Sequence, residues 1–177
     1  MRVMVFVAQS IDGYIAKKDG DIQWLNDLSE KAAGEDQGFE SIMELSDYLI
    51  MGRKSFEKVL SFDFWPYEGQ KVIVLSKSLK ELPETIKETT EIYAGDIENL
   101  YERLKNEGCQ ALYIDGAQTI QSFLHKELVT DMTITTVPIL LGEGISLFGW
   151  MSESKEVDHE YTKAFPSGMV QTKYRLS

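Results

Sequence analysis

The chain reads as one α/β domain in which a mostly parallel central sheet carries helices on both faces and ends in an antiparallel hairpin. Three observations predict this. Apolar runs alternate with helical periodicities along all 177 residues, with no low-complexity linker or internal repeat. The runs Val3-Met4-Val5-Phe6-Val7 and Val72-Ile73-Val74-Leu75 are apolar at every position, as expected of strands covered on both faces. By contrast, Val157 to Phe165 and Met169 to Leu176 alternate with period two around Pro166-Ser167-Gly168, the signature of a hairpin on a sheet edge.

Val3 to Ala8 forms the first strand. Gln9 to Asp27 follows as a long polar loop holding Asp12-Gly13 and Asp19-Gly20 turn signals and Trp24, and loops of this length are often functional. A helix is predicted from about Asp36 to Ser46, with Phe39, Ile42, Met43 and Ser46 facing inward and Asp47 ending it before the strand Tyr48 to Met51. Lys54 to Leu60 is a short helix. After the Val72 strand, Asp96 caps a helix whose Ile97, Leu100, Tyr101 and Leu104 form one stripe, and Gly108 stops it. Ala111 to Ile114 is a strand, Asp115-Gly116-Ala117 a tight turn, Gln118 to Lys126 a helix with Ile120, Phe123 and Leu124 inward, and Thr130 to Val137 a further strand.

Composition narrows the function. With 43% hydrophobic residues the chain has enough apolar side chains for a substantial core. A formal net charge of −11 argues against a broad nucleic-acid or anionic-membrane surface, which needs clustered cations. Cys109, the sole cysteine, excludes an internal disulfide and a multi-cysteine metal cage, and His125 and His159 lack acidic ligand partners at helical spacing, so no metal site is expected. The first apolar run is too short to span a bilayer and no signal-peptide pattern precedes it, which leads us to expect a cytoplasmic protein.

The chemistry lies where strands turn into helices. In Leu49-Ile50-Met51-Gly52-Arg53-Lys54-Ser55-Phe56 a strand passes through a glycine into a helix start, so Arg53, Lys54 and Ser55 bring donors beside uncapped N–H groups, a phosphate-binding arrangement. Ser76-Lys77-Ser78, at the end of the Val72 strand, suits a second phosphate. Gly116 marks a third junction. Three such junctions converging on one sheet edge are what a dinucleotide requires, although either glycine alone could serve only for tight helix–strand packing. The complete Gly-x-Gly-x-x-Gly fingerprint and the Walker phosphate loop are both absent, which disfavours a Rossmann dehydrogenase and a P-loop enzyme.

Four stretches then carry a resemblance: Ser10-Ile11-Asp12-Gly13-Tyr14-Ile15-Ala16, Leu49 to Phe56, Val74-Leu75-Ser76-Lys77, and Pro138-Ile139-Leu140-Leu141-Gly142-Glu143-Gly144-Ile145-Ser146-Leu147-Phe148. Together they resemble the dihydrofolate reductase fold family, and within it the reductases similar to the C-terminal domain of the bifunctional riboflavin-biosynthesis deaminase/reductase. The resemblance implies an NADPH-dependent reductase of a pterin-like or ribosylaminopyrimidine-like small molecule. It implies Gly52, Arg53, Lys54 and Ser55 at the phosphates, Leu75, Ser76 and Lys77 near the adenosine end, and Gly116, Ala117, Gln118, Thr119 and Ile120 under the pyrophosphate. It also implies that Ala8, Ile15 and Ala16 line the nicotinamide pocket. Ala117 departs from the paired glycines of dihydrofolate reductase at this turn. No cationic cluster beyond the cofactor residues is evident for a sugar phosphate.

Hydride transfer to a carbon–nitrogen double bond is helped by protonating the nitrogen, so an acid of raised pKa in an apolar cleft is sought among Asp12, Asp36 and Asp47. Asp47 reads as a helix-ending or turn residue, and Asp12 as an Asp-Gly turn residue whose loop nevertheless faces the expected cleft, which keeps it as the second candidate acid. Asp36 matches the position of the acid that holds the pterin in dihydrofolate reductase, and is expected to be the catalytic acid, walled by Phe39 and Met43 and supported by Thr135, although a plain N-terminal helix acid is the alternative. Trp24 resembles the family's loop tryptophan over the substrate, or else pins the loop to the core. A nucleotide-binding protein of the same fold without the reaction remains the second functional reading. Phe148, Trp150 and Met151, in the aromatic segment from Ile145 to Met151, suggest a homodimer interface or a cover for the protein's own core.

Overall fold

In a computed structural model describing residues 1–151 and 153–176, the elements follow in the order β1 (Arg2–Ser10), β2 (Tyr14–Ala16), α1 (Gln23–Lys31), α2 (Phe39–Leu45), β3 (Tyr48–Gly52), α3 (Arg53–Leu60), β4 (Val72–Leu75), β5 (Thr90–Tyr93), α4 (Ile97–Asn106), β6 (Ala111–Asp115), α5 (Ala117–His125), β7 (Asp131–Val137), β8 (Ile145–Ser146), β9 (Asp158–Ala164) and β10 (Val170–Arg175). An eight-stranded sheet has the order β5-β4-β3-β6-β1-β7-β10-β9. Strands β5 through β7 of that order run parallel, and β10 turns antiparallel onto β7 and pairs with β9 at the edge.

The continuously apolar strands divide their side chains between two cores. Val3, Val5, Ile50, Ile73, Leu112 and Ile114 meet Leu100 and Leu104 of α4 and Ile120 and Phe123 of α5 on one face. Met4, Leu49, Met51, Val72, Val74 and Tyr113 meet Ile42 of α2 and Phe56 and Val59 of α3 on the other. Both faces being dry, alternation disappears from these strands, whereas the edge strand β9 is exposed at every position, so the alternation expected of it is not expressed in burial. The predicted helix punctuation holds at α4, where the Asp96 side chain accepts the Glu98 N–H and Gly108 takes φ +87° beyond the last turn.

Three elements differ from the sequence reading. The Gln9 to Asp27 loop contains β2 and the start of α1. The strand β5 exists because Thr90 to Tyr93 pairs with β4, a tertiary cause that its half-polar sequence does not display. Helix α2 starts at Phe39, after Gly38 at φ +88°, so Asp36 stands outside it.

Carboxylates tie the connections. Asp12 accepts from the Ser10 hydroxyl at 2.6 Å and from the N–H groups of Leu141 and Gly142 at 3.1 and 2.7 Å, joining two loops at the carboxyl edge of the sheet. The Ser10 bond first, and then the backbone bonds, hold its carboxyl below the usual range. Asp47 accepts the N–H groups of Ala111 and Gln110 at 2.9 and 2.6 Å, securing the start of β6. Burial, reinforced by Asp47, pushes the Cys109 thiol up to about 11, which leaves it protonated and unreactive at neutral pH.

Across the sheet, Arg2 donates from Nε and from the guanidinium to the two oxygens of Asp131 at 2.9 and 2.7 Å, and Thr130 adds its hydroxyl at 2.9 Å. Burial works against the Asp131 charge, but the Arg2 fork and Thr130 outweigh it and hold the carboxyl below its ordinary range. Stabilisation from this lowered pKa is complete above the unfolded-state value and is lost as pH falls through the folded-state one. Asp131→Asn should therefore lower unfolding free energy by about 1–3 kcal/mol at neutral pH in a urea titration. The gap from wild type should narrow as the buffer is made strongly acidic.

Candidate active site

Strands β3 and β6 lie side by side, with Met51 in register with Asp115, so helices α3 and α5 begin next to each other at the carboxyl edge. The two starts interlock. A Cβ on Gly116 would fall 2.3 Å from Ser55 Oγ, and Gly116 itself has φ +86°; a Cβ on Gly52 would fall 3.1 Å from Thr119 Oγ1. Neither helix start has a side-chain cap, so two sets of first-turn N–H groups face the same space. Adjacent parallel dipoles make that space favourable to an anion.

This space is a cleft of about 480 Å³ whose wall includes Ala8, Ile15, Ala16, Gly52, Lys54, Ser55, Gly116, Ala117, Gln118 and Thr119. Arg53, Leu75, Ser76 and Lys77 line an adjoining depression of about 320 Å³ that shares Gly52, Lys54, Gln118 and Thr119 with the cleft. Ser76 Oγ accepts the N–H groups of Leu79 and Ser78 at 2.9 and 3.2 Å, which shapes the turn that presents Lys77. Ile120 does not join them. It is fully buried in the core beneath α5, because the helix turns it away from the edge. Ala117 sits inside the first turn and only Gly116 takes positive φ, so one glycine suffices for this turn.

Aromatic side chains also line the cleft. Phe6, Phe62, Tyr67 and Tyr113 share its wall with Val59 and with Asp115, the last residue of β6. The Tyr113 hydroxyl donates to the Phe6 carbonyl at 3.0 Å. Burial pushes the Asp115 pKa up, and the Gly116 N–H offsets only part of that. Part of the residue meets the cleft, while protein packed around its carboxyl keeps water away. Burial first, and then the neighbouring Asp115, push the Tyr67 and Tyr113 hydroxyls up as well. Lys18 and Lys58 add cations to the cleft wall, Lys58 one turn beyond Lys54; Lys18 is paired with Glu143.

Several expected substrate residues lie elsewhere. Asp36 is exposed; its carboxylate accepts the Gly38 N–H at 2.8 Å and forms the turn that launches α2, so the desolvation expected of a catalytic acid is missing. Thr135 is buried, but its hydroxyl accepts from Gln171 Nε2 at 3.1 Å and does not support Asp36; Gln171 also reaches the Gln37 carbonyl at 2.9 Å. Phe39 is 41% exposed and meets the cleft only through Phe6, with ring centroids 6.5 Å apart. Met43 packs on the α2/α3 core. Trp24 lies in α1 and is buried against Val137, Phe165 and Met169, while its neighbours Ile22 and Leu25 line the cleft. Asp115 was legible only as a turn residue; an acid ending an apolar strand at the carboxyl edge was the available signal.

A mostly parallel sheet, paired helix starts at its carboxyl edge and a cleft running into an aromatic pocket define a dihydrofolate reductase-like protein. The chain belongs to the RibD C-terminal domain family, whose model matches residues 1–170. It is 29% identical over 168 residues to the uncharacterized protein YwjB of Bacillus subtilis, covering 93% of this chain and 92% of that one. A candidate riboflavin biosynthesis protein from Shewanella sp. PV-4 superposes with a TM-score of 0.93 at 38% identity, covering 100% of this chain and 99% of that one. RibD of Acinetobacter baumannii shares the fold at TM-score 0.74 and 17% identity, over 99% of this chain and 58% of that one.

The interlock generates a test. Gly116→Ala should cost about 1–3 kcal/mol in thermal or urea unfolding, through left-handed strain and the Ser55 contact. In a Ser55→Ala background the steric part should disappear while the strain remains, leaving a smaller cost. Equal costs in the two backgrounds would show that the helix starts are not in contact.

Proposed function

We propose that the protein is an NADPH-dependent reductase that transfers hydride to a pterin-like or ribosylaminopyrimidine-like heterocycle. One observation carries the reading: two uncapped helix starts, a cationic depression and a small-residue wall at Ala8 and Ala16 form one continuous groove ending in an aromatic pocket that holds a desolvated acid. Membership of the RibD C-terminal, reductase-domain family supports an oxidoreductase. The Thermotoga maritima protein with this fold is named as a diaminohydroxyphosphoribosylaminopyrimidine deaminase and 5-amino-6-(5-phosphoribosylamino)uracil reductase.

The residues present fit the cofactor. Gly52 to Ser55 and Gly116 to Thr119 would hold its pyrophosphate, Ser76, Lys77 and Arg53 the phosphate of the adenosine end, and Ala8, Ile15 and Ala16 the nicotinamide. When bound, NADPH supplies the hydride. Phe6, Phe62 and Tyr113 provide apolar walls for a flat ring and exclude water from it. Asp115, its pKa pushed up by burial, is the acid that would deliver a proton where a ring nitrogen or exocyclic amine would lie. Lys58 supplies a cation for an anionic substituent, which the sequence reading did not find.

Three measurements test this. Titrations with NADPH and NADH should show roughly ten- to hundredfold tighter NADPH binding, reduced to near parity in Lys77→Ala. Identical constants for the two nucleotides would remove the assignment. With a panel of aminopyrimidine and pterin substrates, Asp115→Asn should lower turnover by about 10²–10⁴-fold and keep NADPH binding, while Asp36→Asn stays near wild type. Wild-type turnover should decline as pH rises through the raised Asp115 value, and Asp115→Asn should lack that limb. Saturable NADPH binding with no turnover of any substrate would favour the nucleotide-binding alternative.

A further inference from the structure

Tyr67 enters the cleft from the connection between α3 and β4, on a backbone that its surroundings fix. Its carbonyl accepts the Gln70 N–H at 3.1 Å, and Gln70 Nε2 donates in turn to the Ser46 carbonyl at 2.8 Å. The ring is fixed as well. It meets Trp65 edge-on, with centroids 5.3 Å apart and planes at 89°, and Trp65 meets Phe56 of α3 at 6.0 Å. Only 7% of Tyr67 is exposed.

Burial leaves its hydroxyl unserved. The Tyr113 hydroxyl donates to the Phe6 carbonyl, whereas that of Tyr67 has no acceptor among the described residues. A buried phenol normally finds one, because packing has removed the water that would otherwise take its proton. Burial also holds that proton in place, pushing the hydroxyl well above its ordinary range, so that it is a donor at any working pH. Its neighbour is the acid. Tyr113 and Asp115, two residues apart on β6, project from the same face of the strand, and Tyr67 packs with Tyr113 on that face. The Asp115 charge reaches the Tyr67 hydroxyl, yet no hydrogen bond joins the two side chains.

We propose, on the reading of the cleft as the seat of a flat heterocycle, that Tyr67 determines specificity there by donating its hydroxyl proton to an oxo oxygen on the ring edge that Asp115 addresses. An oxo oxygen is an acceptor with no hydrogen of its own, which matches a phenol with a proton to give. A ring carrying only hydrogen at that position would leave the hydroxyl buried and unpaired, and would displace whatever water reaches it. The acid and the phenol read different features. Asp115 meets the ring nitrogen that gains a proton and Tyr67 meets the oxygen beside it, so one wall sets both the register and the identity of the ring. Its fixed backbone and ring let Tyr67 do this with little further ordering on binding.

The probes are a diamino-oxopyrimidine and the diaminopyrimidine that differs only in lacking the oxo group, titrated calorimetrically into the full chain in a buffer alkaline enough to keep both rings uncharged. Wild type should bind the oxo compound about tenfold more tightly, and Tyr67→Phe should bind both with the weaker constant. The phenyl ring keeps its contact with Trp65, so the variant should melt no lower than wild type and keep its NADPH dissociation constant. A wild type without preference overturns the proposal, as does a Tyr67→Phe that retains the preference or weakens both probes alike. A preference that Tyr67→Phe abolishes, in a protein that oxidises no NADPH, would support the contact and count against the reductase reading, which keeps the two separable.

Discussion

The contact between two helix starts at the ends of β3 and β6 is the constraint on which the rest of the site depends. Gly52 lies against Thr119 and Gly116 against Ser55, and side chains at the two glycines would push α3 and α5 apart. Because the glycines let the two helix starts approach closely, their uncapped first turns open on the same cleft, and their local partial charges add in one volume. Lys54 and the depression holding Lys77 extend it along the sheet edge.

The acid in the cleft follows from the same geometry. Asp115 sits in register with Met51 and directly precedes Gly116, so the turn that begins α5 also carries the carboxyl to the cleft wall. The aromatic lining raises its pKa by excluding water. Asp12 and Asp47 show the opposite case. Each is surrounded by donors, each is held ionised, and each joins segments of backbone.

The surroundings of Asp36 and Trp24 show how residue type and position in sequence can mislead. Asp36, Phe39 and Met43 share the neighbourhood of one helix, but Gly38 starts that helix late and leaves Asp36 as a turn-former in solvent. Trp24 is held by Phe165 and Met169, residues far along the chain whose approach no local pattern announces. Thr135 meets Gln171 because β10 pairs with β7, a long-range event of the same kind. Each of these residues has a plausible local role, and each is redirected by a neighbour distant in sequence.

By itself the sequence determined the alternating layers, the parallel sheet, the edge hairpin and the two glycine junctions, because these rest on periodicity and backbone freedom within a few residues. The cleft wall at these junctions was legible for that reason: Lys54 and Ser55, and Gln118 and Thr119, lie within a few residues of the glycines at which their helices begin. Only the tertiary structure decided which acid is desolvated, which aromatics wall it, and where Trp24 points. Desolvation is a property of everything packed around a group, and the strands and loops that enclose Asp115 come from β1, β6 and the segment holding Phe62 and Tyr67, brought together only when the sheet forms.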